Sequence, residues 1–216
     1  MSNFGFSRLR LVNPYEPSFR EARSAVGASA LLAGAQEYKS VAEAVADCTL
    51  VVGTTSARNR GLQQDLLPLP DAARRIRRHL GSGRVALLFG SEKRGLSNRD
   101  LSHCHWLLRI QTCEGQPSMN LGQAVAVCLY ELARTSAKAP GRQKKPAAAA
   151  GDLERLTLLL FELLTASGYT GPHSESKAEQ NVRRLIRRLA LSPQDAKTWL
   201  GMSRQILWKL RALQSS

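Results

Sequence analysis

The segment FGSEKRGLS runs from Phe89 to Ser97, directly after the apolar run VALL and before NRDLSHC. A strand, a loop holding Gly90 and Gly95, and a helix start in that order present main-chain amides to a ligand, because glycine lets the backbone approach closely. The glycine spacing matches a phosphate-cradling P-loop, but that loop needs a Lys after its second glycine to reach the phosphates, and Leu96 stands there. A dinucleotide fingerprint fails as well, since no Gly-x-Gly-x-x-Gly opens a β-α-β unit followed by an acid about twenty residues on. Two more polar loops follow apolar runs: GTTSARNR (53–60) after TLVV, and QTCEGQPSMNLGQ (111–123) after LLRI. In parallel α/β sheets ligands collect at the carboxyl ends of strands, so loops of this kind sharing one rim make a binding site.

The elements that must position these loops are legible as alternating patterns. LRLV (9–12), CTLVVG (48–53), RVALLFG (84–90) and WLLRI (106–110) have strand length and composition. Between them SFREARSAV, SVAEAVADC and DAARRIRRHL carry apolar residues at helical spacing, and SMNLGQAVAVCLYELAR (118–134) is a longer helix. Ser40, Asp71, and Ser118 or Asn120 suit N-caps. The pattern predicts a mostly parallel sheet covered by helices. SAKAPGRQKKPAAAAG then reads as an exposed linker, and the rest, from about Asp152, as helices punctuated by Gly168 and Ser192-Pro193. The expected division is a first domain over 1–137, a basic Pro/Ala linker over 138–151 and a helical extension over 152–216.

A net charge of +14 over 216 residues suits a polyanionic partner, RNA or DNA before an acidic membrane. No apolar run approaches the roughly 20 residues that span a bilayer, and MSNFGFSRLR lacks a signal-peptide core, which reads as cytoplasmic. Cys48, Cys104, Cys113 and Cys128 lie in or beside apolar segments without C-x-x-C spacing, as reduced core thiols do. His103-Cys104-His105 has no second ligand pair, so no metal is expected.

GTTSARNR, ALLFGSEKRGLSNRDLSHCHWLLRI and PSMNLGQAVAVCLYELA together resemble the ordered motifs of the SpoU/TrmH-type SPOUT RNA ribose methyltransferases, in particular the TrmJ-like branch that methylates tRNA. NFGFSRLRLVNP and GYTGPHSESKAEQNVRRLIRRLALSPQDAKTWLGMSRQI extend the likeness over nearly the whole chain. The resemblance implies an α/β fold with a deep trefoil knot and a small all-helical C-terminal extension. It implies S-adenosylmethionine as cofactor, a homodimer, tRNA as partner, no membrane and no DNA. It places Thr55, Ser56, Ala57, Gly90, Ile110, Pro117, Ser118 and Met119 at the cofactor, and Ser118 and Asn120 at the catalytic centre. Glu92 matches an acid that holds loop amides or a basic side chain. The family's first motif, Asn-x-x-Gly-x-x-Ala-Arg, carries the Arg credited with activating the 2′-hydroxyl. MSNFGF matches only the end of that motif, so the first strand and activating Arg are expected to be missing from this sequence. A noncatalytic RNA-binding protein on the same fold is the alternative that this departure leaves open.

Arg58 and Arg60 in the TSARNR loop are expected to meet RNA phosphate or brace the loops. DAARRIRRHL presents Arg74, Arg75, Arg77 and Arg78, and NVRRLIRRLALS presents Arg183, Arg184, Arg187 and Arg188, as guanidinium-lined helix edges suited to RNA. Trp199 and Trp208 fit either base stacking or the core of the helical extension. A helix-turn-helix over SPQDAKTWLGMSRQILWKLRAL, binding duplex DNA, is the weakest of the readings.

Overall fold

A computed structural model describes residues 1–14, 29–56, 62–116, 118–134, 146–170 and 175–214. The expected helix SFREARSAV, together with Ala57, Arg58, Arg60, Pro117 and most of the linker, lies outside the described residues.

The central strand β3 (Leu50–Thr54) is an almost continuous apolar run buried on both faces, the pattern of an interior parallel strand. It lies between β5 (Val85–Leu88) and β6 (Trp106–Arg109), and β4 (Leu66–Pro68) completes the parallel order β4-β6-β3-β5. Pro68, which cannot donate to a ladder, is tolerated because β4 is an edge. A separate parallel pair joins β1 (Arg10–Val12) to β2 (Gln36–Tyr38), with α1 (Ser29–Ala33) before β2. Arg10 ties this pair down: its Nη1 and Nη2 donate to the two Asp47 carboxylate oxygens at 2.5 and 2.8 Å. That hydrogen bond holds the Asp47 carboxyl well below its usual range.

Period-two alternation assigns the two faces of the sheet. Leu50, Val52, Trp106 and Leu108 pack with Leu69, Ala72 and Ile76 of α3 (Leu69–Leu80) and Cys128 of α5 (Leu121–Ala133). Val51 and Leu107 turn the other way, to Val45, Leu96, Leu101 and Cys104, under α2 (Val41–Ala44) and α4 (Asn98–Ser102). The remaining helices, α6 (Ala150–Ala166), α7 (Glu175–Arg188) and α8 (Pro193–Gln214), enclose a core of their own from Leu153, Leu156, Ile186, Ala196 and Leu200. The first turn of α6 is stitched to the sheet domain. Ala150 N–H donates to Cys48 O at 2.8 Å and Gly151 N–H to Ala46 O at 2.9 Å, which satisfies donors that a helix N-terminus otherwise leaves free.

The capping expectations divide. Ser40 accepts from Glu43 N–H, and Asn120 rather than Ser118 caps α5, but α3 starts at Leu69 directly after Pro68, two residues ahead of Asp71. Helix α6 begins at Ala150, inside the stretch read as linker. Strands β2 and β4 have no sequence counterpart above; each is only three residues long and too short to show a period. Cys113 is exposed, whereas Cys48, Cys104 and Cys128 are buried. No helix among the described residues is long and apolar enough to cross a membrane.

Candidate active site

Strand register brings the expected loops to one rim. Gly53 pairs with Leu88 of β5 and Thr54 with Leu108 of β6, so the chain leaves all three strands at the same edge of the sheet. Two bonds bind the strand ends together: Thr54 Oγ1 donates to Leu88 O at 2.9 Å, and Thr55 N–H donates to Leu108 O at 3.0 Å. Gly53 belongs in this strand because a Cβ there would meet Cys104 Sγ at 2.8 Å.

Beyond β5 the loop doubles back on itself. Gly95 N–H donates to Ser91 O at 2.8 Å, and Gly95 adopts φ +67°, a left-handed conformation that side chains resist. The closed turn passes directly over Gly90: a Cβ on Gly90 would lie 1.9 Å from the Gly95 carbonyl carbon and 2.1 Å from Leu96 N. Ser97 then starts α4 with a reciprocal capping box, its hydroxyl accepting from Asp100 N–H at 3.1 Å while the Asp100 carboxylate accepts from Ser97 N–H at 2.9 Å.

The loop after β6 joins this one through a side-chain pair. Asn120 Oδ1 accepts from Gly122 N–H at 2.9 Å and caps α5, while its Nδ2 donates to the Glu92 carboxylate. Asn120 thus caps α5 and ties its loop to the loop after β5, where Glu92 accepts from this side-chain amide. Ser56 and Ser118 are exposed, Thr55, Gly90 and Met119 are half-buried, and Ile110 packs on the core that includes Cys128. Thr55, Ser56, Gly90, Ile110, Ser118, Met119 and Asn120 therefore all lie on or next to the rim.

The arginines of α7 do not all behave as their pattern suggests. Arg184 is half-buried and Arg188 exposed, but Arg183 and Arg187 are only 2% and 3% exposed, which corrects their expected place on a solvent-facing edge. Both turn toward Glu154 of α6. Arg183 donates to its carboxylate from Nε at 2.9 Å and from Nη2 at 2.8 Å, pairs also with Glu179, and reaches Ser102 Oγ at 3.3 Å. Arg187 Nη2 lies 3.5 Å from the same carboxylate and Arg187 Nη1 donates to Ala150 O at 3.2 Å. Burial would raise the Glu154 carboxyl, but hydrogen bonds from His103 and Arg183 outweigh it and hold it at about 2. Burial lowers Arg187 to about 10. The chain pairs these cations because an unpaired buried charge is costly. Glu154 was not among the expected functional residues, and its flanking leucines in DLERLTLLL are the only sequence sign that it lies inward.

On α3, Arg74, Arg75 and Arg78 are exposed as expected, while Arg77 is half-buried and donates to Glu131 O of α5 at 2.7 Å. Trp199 and Trp208 are 41% and 63% exposed, so neither fills the core of the extension. That face of α8 is built from Ala196, Leu200, Ser203 and Leu207 instead.

A parallel sheet with three cross-linked loops on one rim and a helical unit fastened alongside is the geometry that the methylase resemblance implies. Residues 1–130 match the sequence model of the SpoU rRNA Methylase family, and the chain belongs to that family. It is similar to TrmJ, a tRNA (cytidine/uridine-2′-O-)-methyltransferase, of Cronobacter sakazakii, with 33% identity over 210 residues, 94% of this chain and 85% of the relative. The enzyme of the same name from Pectobacterium atrosepticum is 33% identical over 208 residues, 94% of this chain and 86% of the relative. Among solved structures, TrmJ from Z. mobilis ZM4 superimposes with a TM-score of 0.83 at 31% identity, covering 95% of this chain and 89% of its own. A probable methylase family protein from Haemophilus influenzae Rd KW20 reaches 0.58 at 26% identity, covering 98% of this chain and 89% of its own.

Proposed function

We propose that this chain transfers a methyl group from S-adenosylmethionine to a ribose 2′-hydroxyl of tRNA, in the anticodon loop. The observation that carries the reading is the tied rim: loop ends from β3, β5 and β6 held together by Thr54, Thr55 and the Asn120–Glu92 pair. Similarity to tRNA 2′-O-methyltransferases over 94% of the chain supports the choice of substrate.

The residues present fit the cofactor. Half-buried Ile110 offers an apolar face for adenine, and the turn over Gly90 and the segment around Ser118 and Met119 offer main-chain donors and acceptors. The cofactor supplies a methyl carbon activated by its positively charged sulfur. Thr55, Ser56, Ala57, Gly90, Ile110, Pro117, Ser118 and Met119 would hold it, so that the 2′-oxygen meets that carbon in line with sulfur. Asn120 and Ser118 organise the end of the pocket nearest the ribose. Asn120 is held from both sides, by α5 amides and by Glu92, which fixes its rotamer without further cost at reaction.

The knot belongs to the same proposal. Its support is the strand order, in which the last strand, β6, occupies an interior position between β3 and β4. Homodimerisation is supported by α5, an apolar helix that leaves Val127 37% and Tyr130 53% exposed, as a helix covered by a second copy would. RNA contact falls to Arg58, Arg60, Arg184 and Arg188, with Arg74, Arg75 and Arg78 of α3, in a cytoplasmic enzyme.

The test is methyl incorporation from labelled S-adenosylmethionine into unmodified tRNA, followed by nucleoside mass spectrometry. A 2′-O-methylnucleoside is expected from the wild-type chain. In Asn120→Asp the cap survives, but two carboxylates face each other across the loops, and incorporation falls at least about tenfold with little change in melting temperature. Binding of tRNA without any incorporation would favour a noncatalytic RNA-binding protein instead.

A further inference from the structure

Arg183 and Arg184 are neighbours on α7, yet the fold gives them opposite surroundings. Arg183 receives two carboxylates, Glu154 and Glu179. Arg184 receives none among the described residues. Its Nη1 donates to Gln63 Oε1 at 3.3 Å and Asn181 Oδ1 at 3.2 Å, and its Nη2 to Asn98 O at 3.4 Å and Gln180 Oε1 at 3.3 Å. All four acceptors are neutral, and the distances sit at the long end of the hydrogen-bond range. Burial, then the neighbouring Arg183 charge, lower the Arg184 pKa, so the cation is held against its surroundings.

In front of this guanidinium lies a cavity of about 460 Å³ between the sheet domain and the helical extension. Lys177, Gln180, Asn181 and Arg184 line it from a single face of α7, at i, i+3, i+4 and i+7, and Gln63 and Asn98 line it from the sheet domain. The volume is that of a small-molecule site. Among the described residues its lining has two cations, several side-chain amides and no carboxylate. The cations are suited to a phosphate, and the amides, each with a donor and an acceptor side, are suited to a base edge. Asn98 is the first residue of α4, the helix that follows the Gly90–Ser97 loop, so one wall of the cavity is joined through the chain to the reaction rim.

We propose that this cavity receives one unstacked nucleotide of the RNA substrate, its phosphate on Lys177 and Arg184 and its base edge on Gln63, Gln180 and Asn181. The inference rests on the reading of tRNA as substrate. Single-stranded loops present bases in this form, and proteins read them through hydrogen bonds to their edges. The site assigns α7 a role in positioning tRNA that its buried arginines do not have.

Binding of labelled unmodified tRNA over a range of salt concentrations tests the site, using the full chain, Lys177→Ala, Arg184→Gln and, as a control of equal charge on the exposed side of α8, Arg204→Gln. Loss of one phosphate contact reduces the slope of log K against log salt by about 0.7 to 0.9. Lys177→Ala and Arg184→Gln are each expected to show that loss and about five- to tenfold weaker binding near 0.15 M salt, with S-adenosylmethionine affinity unchanged by calorimetry. Lys177 is exposed, so its variant remains informative even if Arg184→Gln folds poorly. Gln180→Ala should in addition weaken tRNA binding without altering the salt slope. If wild-type protein binds tRNA while Lys177→Ala keeps its slope and affinity, or loses no more than Arg204→Gln, the cavity is not an RNA site. A wild-type chain that binds no tRNA at all would overturn the substrate reading itself, and this inference with it.

Discussion

Replacing Gly90 by alanine tests the proposed cofactor loop most directly. The added methyl would lie 1.9 Å from the Gly95 carbonyl carbon, 2.1 Å from Leu96 N and 2.4 Å from Gly95 O, where ordinary contact begins at 3.4 Å. None of these atoms is the end of a flexible side chain, so relief requires the backbone of the turn to move by about 1.5 Å. The turn resists, because the Gly95–Ser91 hydrogen bond and the positive φ of Gly95 define its closed form. Overpacking of this kind costs about 1–3 kcal/mol, which in a chain of this size lowers Tm by roughly 2–12 °C. A displacement near 1 Å at a reacting centre costs on the order of 100-fold in rate. We therefore expect S-adenosylmethionine to bind at least about tenfold more weakly, equivalent to about 1.4 kcal/mol, and kcat/KM for methyl transfer to fall about 100-fold. Calorimetric titration with the cofactor, thermal melting and a methyl-incorporation assay read these quantities. Gly81→Ala is the control: a Cβ there meets nothing within 4 Å at φ −76°, and the change should stabilise by about 0.4–1 kcal/mol. Wild-type melting and cofactor affinity within about threefold for Gly90→Ala would refute the link between the closed turn and cofactor binding.

Two further outcomes concern the join between the sheet and the helical extension. Glu154→Gln leaves buried Arg187 without this carboxylate and Arg183 with Glu179 alone, and should cost about 3–5 kcal/mol in chemical denaturation; a loss below about 1 kcal/mol would show the network to be dispensable. His105 accepts from Val51 N–H at 3.1 Å, and burial, then the Arg187 charge, lower it from 6.5 to about 3. The unfolded chain therefore binds a proton that the folded chain refuses between these values. Stability is complete above pH 6.5 and declines as pH falls toward about 3, by about 1.4 kcal/mol per unit. Between about pH 5 and 6.5, before Glu154 titrates in either state, His105→Gln should flatten that decline, and an unchanged slope would reject it.

The sequence alone carried the alternation of apolar runs and amphipathic stretches, the order of the loops and the pair Ser118 or Asn120 as the cap of α5, because each is written in neighbouring residues; the structure chose Asn120. Local spacing was enough to read β3, β5, β6 and the longer helices, whose periods extend over several turns or a whole strand. It was not enough for β2 and β4, three residues each, which exist only because β1 and β6 offer them a partner. The arginines of α7 show the same limit in chemical form. RRLIRR repeats identically on either side of Leu185-Ile186, yet the first Arg of each pair is buried against a half-buried carboxylate on α6 and the second is not. Helical spacing states which residues share a face, but only the packing of α7 on α6 and α4 decides which face is inside. The Asn120–Glu92 pair and the cavity around Arg184 likewise join residues 28 and 121 positions apart in the chain, and contacts at that separation are set by tertiary structure.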